Sequence, residues 1–573
     1  MFSLRRLFTT TKPIQAPIAS FNTTTIMSQS YKLKSITSLQ DVPIGGKIEA
    51  EVEGIEEGKV LLTNVGGKVS ALGNKCTHYG APMVKGILSS GGRLTCPWHG
   101  ACFNATSGDI ENAPALDALP KFGLEEREGA VYITGKEDAI KGSKRKPNMK
   151  INGSISRAAG AEHVVVVGAG SGATATVEAL REGGYKGKIT MIGSEGYAPI
   201  DRTKLSKALI DDPSKIALRE GEWFKDGDID FIKDDQVMGV DFDKKTVSTV
   251  SGASHSYTKL VLATGGTPNS LPLPGFKDLE NIFLLRTVPH VKSILAAKKG
   301  DNKKIVVIGS SFIGMEIANA MAKDNDVTVV GQESAPLERV MGKEVGKIFQ
   351  KSLEKNGVKF RMDAGVEKAL PSNSDSKKVG SVQLKDGTVL EADFVVLGTG
   401  VKPQTSYLQD NKSVKLEKDG SLKVSESYAV ERLVDVYAIG DIATYPYHGP
   451  GGEGSPVRIE HWNVAQNSGR IAAAHITKPN AKPVPHIPVF WSALGQQLRY
   501  CGNTVNGYDD VVVKGEPENA KFAAYYTKGE TVVAVATMAT DPIMSQAASL
   551  MLKGNMPSKS ELEEGVDIMT ISA

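Results

Sequence analysis

One local signature occurs twice in this chain, and the repetition narrows its fold more than any other feature. His163-Val-Val-Val-Val is an apolar run that passes directly into Gly168-Ala-Gly170-Ser-Gly172-Ala173 and then into helix-like ATATVEALREGG. The next strand-like run, KITMIG, ends just before Glu195, which lies 22 residues past Ala173. Strand, glycine turn, helix, strand and acid in this order make a dinucleotide-binding unit. Gly168 permits the tight turn, Gly170 lets the backbone approach a pyrophosphate, and Ala173 stands where a third glycine packs helix on strand. The helix N-terminus, entered through Gly172, faces the phosphates, and Glu195 is placed for the adenosine ribose. The second copy runs Lys304-Ile-Val-Val-Ile, then Gly309-Ser-Ser-Phe-Ile-Gly314-Met-Glu316, then DVTVV. Ser311 replaces its middle glycine and narrows backbone access. A later stretch, VDVYAIG-Asp441-IA, reads as the return of the first unit, so the second lies inserted within it.

The end of the second strand bears on which nucleotide the inserted unit takes. VTVV ends at Gly331, where a carboxylate would bind ribose hydroxyls and repel a 2′-phosphate. Gly331 removes that barrier, while no Arg or Lys follows until Arg339. With Glu333 turned inward to take the ribose contact, NADH and NADPH are both expected to serve, with a modest preference for NADH.

Ahead of these units, residues 31–136 alternate short apolar runs with glycine turns, as an all-β domain does. It contains Cys76-Thr-His78 and Cys96-Pro-Trp-His99, with 17 residues between His78 and Cys96. Two Cys-plus-His pairs suit zinc or a two-iron cluster. The stretches CTHYGAP and CPWHGACF resemble Rieske [2Fe–2S] loops. In that family two thiolates hold one iron and two imidazoles the other, which here implies Cys76 and Cys96 on the first iron and His78 and His99 on the second. High-potential members join the two loops by a disulfide, whose positions fall on Ala81 and Trp98, so a lower-potential ferredoxin-like cluster is implied. Cys102 reads as a buried thiol. None of the remaining histidines forms the spaced pair of a Rieske oxygenase, which excludes a terminal oxygenase.

The ordered series GxGxxA, LVLATGGTP at 260–268, a second fingerprint, VVLGTGVKP at 395–403 and YAIGDIA resembles the two-dinucleotide-domain flavoprotein reductases that use FAD and NAD(P)H. APIDRTKLSK at 198–207, RIEHWNVAQNSGR at 458–470 and VFWSALGQQLRYCG at 489–502 narrow the resemblance to oxygenase ferredoxin reductases and apoptosis-inducing-factor-like proteins of the Rieske-fused third type. The resemblance implies that Asp441 binds the FAD ribityl or phosphate region. It implies that Arg202 and Lys207 approach the flavin, with Lys207 paired to Glu316 beside the nicotinamide. Glu460 and Trp462 would flank the isoalloxazine, with Trp462 on the nicotinamide or exit side. Val237 would lie on the strand whose backbone meets the adenine. Gly309, Gly314 and Gly400 would border the NAD(P)H site. Lys207, Glu316 and Trp462 are the expected catalytic residues.

The expected architecture is multidomain. A presequence or disordered tail (1–30) and an all-β Rieske domain (31–136) come first, then a solvated linker (137–160). Two α/β Rossmann-like domains follow. The FAD domain is split into an opening segment (161–285) and a returning segment (425–480), with the NAD(P)H domain (286–424) inserted between them. An α+β C-terminal domain (481–573) closes the chain. Outside the β-domain the only cysteine is Cys501, so a dithiol reductase is excluded. What remains is a flavin that takes an electron pair and a tethered cluster that takes single electrons, passed on to an acceptor the sequence does not name. The other reading is an apoptosis-inducing-factor-like signalling or interaction protein whose cofactors control conformation.

Lys plus Arg number 68 and Asp plus Glu 65, a net charge of +3 that gives no argument for nucleic acid. No apolar run is long enough to span a bilayer. The protein is expected as a monomer or homodimer. Residues 1–40 contain no Asp or Glu, and Arg5 and Arg6 sit among Phe2, Leu4, Leu7 and Phe8, the composition of a mitochondrial presequence. A product starting at Met27 would lack it and stay cytoplasmic.

Overall fold

The computed structural model describes residues 29–147, 149, 161–300 and 302–573. The acid-free leader, Met27 and most of the linker's second half lie outside the described residues.

The two glycine-turn units form two parallel five-stranded sheets. The first orders its strands Ile229–Ile232, Lys188–Ile192, His163–Val167, Lys259–Leu262 and Val436–Ala438. Its last strand comes from the returning segment, as the inserted arrangement requires. Val164, Val165 and Val166 are 0% exposed because helices cover both faces of a parallel sheet. Each such burial contributes about 1.5–3 kcal/mol. Gly168 leaves the first strand at φ +113°, and a Cβ there would lie 2.2 Å from the Ala263 carbonyl oxygen, so only glycine fits. The helix Ser171–Glu182 then packs against the helix Trp462–Thr477.

The second sheet runs Ile282–Leu284, Phe394–Leu397, Lys304–Ile308, Asp326–Val330 and Val358–Arg361. Its edge strand precedes residue 286, and Leu408, Leu422 and Val424 pack in the first unit's core. The inserted domain therefore begins and ends earlier in the chain than expected. The crossings are the paired strands Gly266–Pro268 and Val401–Pro403. Local apolar pattern marks strands but not which of two cores receives them.

The N-terminal domain has a six-stranded antiparallel sheet and a four-stranded one carrying the second Cys/His loop. The start of the expected tether is ordered: the helix Glu137–Gly142 buries Ile140 in this domain's core, and Arg145 bridges to Ala118. The C-terminal domain is a five-stranded antiparallel sheet with the helix Ile543–Lys553 against it.

The β-domain is docked on the reductase body by specific polar contacts. Arg219 donates to Asp117 at 2.8 Å and to the Leu116 carbonyl at 2.6 Å, and it also pairs with Glu178. The Ala113 amide donates to Asn467 Oδ1 at 2.8 Å. Ser545 Oγ donates to the Cys96 carbonyl at 2.7 Å, which ties the C-terminal domain to a cluster loop.

Candidate functional site

A cavity of about 610 Å³ opens where the two dinucleotide units and the C-terminal domain meet. Gly170 and Gly172 border it at the start of the helix Ser171–Glu182. A Cβ on Gly170 would meet nothing within 4 Å, and no side chain caps this helix, whose first residues border the cavity. An uncapped helix N-terminus at a cavity suits a pyrophosphate. Ala173 is buried behind the turn. Arg202, Asp441, Glu460, Trp462 and Gly400 also line the cavity.

Arg202 and Glu195 are bound to each other. Arg202 Nη2 meets Glu195 Oε2 at 2.6 Å and Nη1 meets Oε1 at 3.1 Å, while Tyr197 donates to Oε1 at 2.7 Å. Burial pulls the Glu195 carboxyl up, and hydrogen bonds from Arg202 and Tyr197 more than offset it, leaving it below its ordinary value. The ribose acid and the flavin-side cation expected from the sequence thus form one bidentate unit. Asp441 pairs with Arg286 at 2.9 Å. Glu460 lies beside Arg458, and burial together with the Asp441 charge raises its carboxyl above the ordinary range. Val237 opens the strand Val237–Asp241 and is buried in the first unit's core.

On the opposite wall, Lys207 Nζ meets Glu316 Oε1 at 2.9 Å. Lys207 comes from the helix Thr203–Ala208 and Glu316 from the helix Phe312–Met321, which follows the second glycine turn. Glu316 is 4% exposed, and its charge is matched by three donors: Lys207, Ser206 and Ser492, the last at 2.5 Å. Gly309 and Gly314 form the tight entry to that helix, with φ +104° at Gly309. Ser311 turns its hydroxyl away onto the Gly398 carbonyl at 2.8 Å.

Cys76, His78, Cys96 and His99 converge from two loops. The two Nδ1 atoms lie 3.1 Å apart, and Cys76 and Cys96 are both buried beside them. Among the described residues no three His, Cys, Asp or Glu surround a single point as a mononuclear ion requires. Two facing pairs, buried and of N₂ and S₂ character, are instead the donor set a two-iron Rieske cluster needs. Burial pushes His78 down to about 4 and His99 well below its ordinary value, so both rings are neutral near pH 7. Cys102 is a buried free thiol against Thr95 and Gly100.

Trp491 links the two sites. It lines the cavity, and its ring lies 5.1 Å from that of His78 and 4.5 Å from that of His99. The motif VFWSALGQQLRYCG contains Trp491 and Ser492, yet sequence alone does not single them out, nor does it single out Ser206 or Arg286. In Val489–Leu494, Trp491 and Ser492 are consecutive and face opposite sides of the strand, one to the histidines and one to Glu316. All four cysteines are free and buried, and Cys501 has no dithiol partner among the described residues.

Comparison with known proteins agrees with this arrangement. The family described as pyridine nucleotide-disulphide oxidoreductase matches residues 162–469, the Rieske [2Fe-2S] domain matches 33–123, and the reductase C-terminal domain matches 489–570. Apoptosis-inducing factor 3 of Homo sapiens is 38% identical over 511 residues, 88% of this chain and 82% of that one. Rhodocoxin reductase of Rhodococcus erythropolis is 30% identical over 403 residues, 69% of this chain and 90% of its own. In a covalent putidaredoxin reductase–putidaredoxin complex, the matching chain is 27% identical with a TM-score of 0.65, covering 71% of this chain and 97% of that one. FAD, NAD(P)H and a [2Fe–2S] cluster are the cofactors these domains use. The chain belongs to the pyridine nucleotide-disulphide oxidoreductase family, as a Rieske-fused, FAD- and NAD(P)H-dependent electron-transfer enzyme related to apoptosis-inducing factor 3 and to the ferredoxin reductases.

Proposed function

We propose that this enzyme passes electrons from NAD(P)H across the cavity and through Trp491 to its own Rieske domain, and from there to a separate one-electron acceptor. The observation that carries the reading is the position of Trp491, which borders the cavity and contacts both histidine rings. When bound, FAD accepts a hydride as an electron pair and the cluster accepts single electrons, so together they split a pair. Cys76, Cys96, His78 and His99 hold the cluster. The helix N-terminus at Gly170 holds the pyrophosphate, while Arg286 and Asp441 hold the flavin's polar chain. Lys207 and Glu316 fix the wall against which flavin and nicotinamide meet, and Trp462 closes the cavity beside them.

Stopped-flow reduction tests this. Trp491→Phe, which keeps most of the packing, should leave flavin reduction by NADH within twofold and slow cluster reduction about tenfold, ~1.4 kcal/mol of barrier. Equal rates for parent and variant would remove Trp491 from the route. The N-terminal leader is part of the proposal as a mitochondrial address. Fusing residues 1–30 to a fluorescent reporter tests it, and a diffuse cytosolic signal counts against it.

A further inference from the structure

The histidine rings face the reductase, so an acceptor cannot meet them from that side. His99 is 4% exposed, and Cys76 and Cys96 are 2% and 1% exposed. Trp491 covers both imidazoles. On the His78 ring, however, a second aromatic contact leads outward. Tyr79 lies flat on it, with centroids 3.8 Å apart and planes 16° from parallel, and Tyr79 is 38% exposed. His78 therefore sits between an edge-on Trp491 and a stacked Tyr79.

Two lysines stand near Tyr79, one over its ring and one four residues earlier in the same loop. Lys204 Nζ lies 5.3 Å from the Tyr79 ring centroid. Lys75 is exposed at the start of the same loop, where its backbone bridges Pro82, and Gly80 is exposed with open space where a Cβ would stand. Of the neighbouring carboxylates, Asp201 is mostly buried and shares Lys204, while Glu49 is paired elsewhere. Asp201 accepts the Tyr79 hydroxyl and has Lys204 at 3.8 Å, while Glu49 accepts from Asn74 and pairs with Lys59.

Resting on the electron-transfer reading above, we infer that Tyr79 is the surface through which electrons leave the Rieske domain, and that the acceptor is a soluble one-electron carrier with an acidic docking face. An exposed aromatic ring flanked by lysines supplies both an apolar anchor and electrostatic steering. Entry and exit use different faces of His78, so the β-domain stays docked throughout. The reaction balances: NAD(P)H yields NAD(P)⁺, a proton and two electrons, and each of two carriers takes one electron.

The test uses the full-length holoenzyme with an acidic plant-type [2Fe–2S] ferredoxin and, as a cationic contrast, cytochrome c. Zero-length carbodiimide coupling followed by peptide mapping should join ferredoxin carboxylates to Lys75 and Lys204. Lys75→Glu with Lys204→Glu should abolish those cross-links and slow ferredoxin reduction about tenfold or more at low salt, where steering dominates. Cytochrome c reduction should not slow. Flavin reduction by NADH and the cluster's electron paramagnetic resonance spectrum should be those of the parent. Tyr79→Ala should slow both carriers, while Tyr79→Phe, which keeps the stack, should not. Locking the docked domain with a short bis-maleimide linker between Ser90→Cys and Lys553→Cys, whose parent side chains meet at 2.9 Å, should preserve the rate. Cross-links that map elsewhere, an unchanged ferredoxin rate in the double variant, or loss of turnover on locking would overturn the inference. So would a parent that reduces its cluster but not the ferredoxin. A parent whose cluster is not reduced by NAD(P)H at all would instead overturn the electron-transfer reading beneath it.

Discussion

Nucleotide preference should be set by Glu333 and Arg339, because the strand end itself carries Gly331 and offers no carboxylate to a ribose. The strand Asp326–Val330 ends at Gly331, and a Cβ there would lie 2.6 Å from Met362 Cε and 2.7 Å from Ser310 Oγ. A Glu at Gly331 would have only the ends of two flexible side chains to displace, but the parent carries no carboxylate there. Glu333 takes the inward place instead, with Ser310 Oγ at 3.4 Å from Oε2 and Arg339 Nε at 2.6 Å from Oε1. A 2′-phosphate arriving here meets a repelling carboxylate and an attracting guanidinium together. Arg339 is 77% exposed at its side chain, so the pair itself contributes only about 0–1 kcal/mol to stability and can be broken without unfolding the domain. One unit charge about 6 Å from the phosphate, at an effective dielectric between those of protein surface and water, is worth about 1–2 kcal/mol. That corresponds to about 5–30-fold in affinity. Glu333→Gln should raise kcat/KM for NADPH by about tenfold and change NADH by less than about threefold, while Arg339→Ala should lower NADPH about tenfold more than NADH. The parent should use both, with NADH favoured by less than about tenfold, ~1.4 kcal/mol. The assay is kcat/KM for both nucleotides at one ionic strength, with melting temperature as a control for folding. A Glu333→Gln enzyme with the parent's NADPH-to-NADH ratio would refute the argument.

Three further outcomes follow from the two sites. His99→Ala should abolish the Rieske paramagnetic signal but leave FAD bound and reducible by NADH at the parent's single-turnover rate; collapse of flavin reduction would reverse the proposed electron order. Buried Ala81 and partly buried Trp98 stand where a loop-joining disulfide would be, so the cluster's midpoint should fall below about +100 mV in a redox titration. Glu460 is held above its ordinary carboxyl value by burial and Asp441, so its folded-state contribution is present below its unfolded value and lost as pH rises through the raised one. Glu460→Gln, which mimics the protonated form, should therefore gain melting temperature over the parent as pH rises above the ordinary carboxyl range; a constant difference across that rise would refute the raised value.

The fold was most legible where a residue type is forced by backbone geometry. Gly168 and Gly309 have to be glycine for their turns, and the runs HVVVV and KIVVI have to be apolar on both faces, so the two units could be read from sequence. The Cys/His pairs were equally legible because few other chemistries use that spacing. What could not be read were contacts across domains. Nothing in Ser206 or Ser492 taken singly announces a shared partner on a third element, and Trp491 looks like any aromatic in a strand until the β-domain docks on it. The inserted domain's limits were misplaced for the same reason, since Leu408 and Leu422 are apolar whichever core they enter.

Glu316 shows how one such contact joins architecture to chemistry. Its carboxylate is 4% exposed and collects Ser206 and Lys207 from the FAD unit and Ser492 from the C-terminal domain, while it belongs to the inserted unit itself. Three domains thus meet on one buried charge at the cavity wall. Removing Lys207 alone strands that charge, a change that costs about 3–5 kcal/mol for a buried pair and falls toward the lower figure here because two hydroxyls remain. Removing both charges, with Lys207→Met and Glu316→Gln, leaves a neutral amide that still bonds the serines and should recover most of the loss. The coupling between the two substitutions should reach about 1–3 kcal/mol, as expected for residues in direct contact. A multidomain chain does not unfold in two states, so the readout is the temperature at which flavin fluorescence is released. Lys207→Met should lower it most, the double variant less, and Glu316→Gln least. If the double variant falls as far as the two single losses added together, the pair acts as independent groups, and the view that this buried charge binds the three domains around the cavity fails.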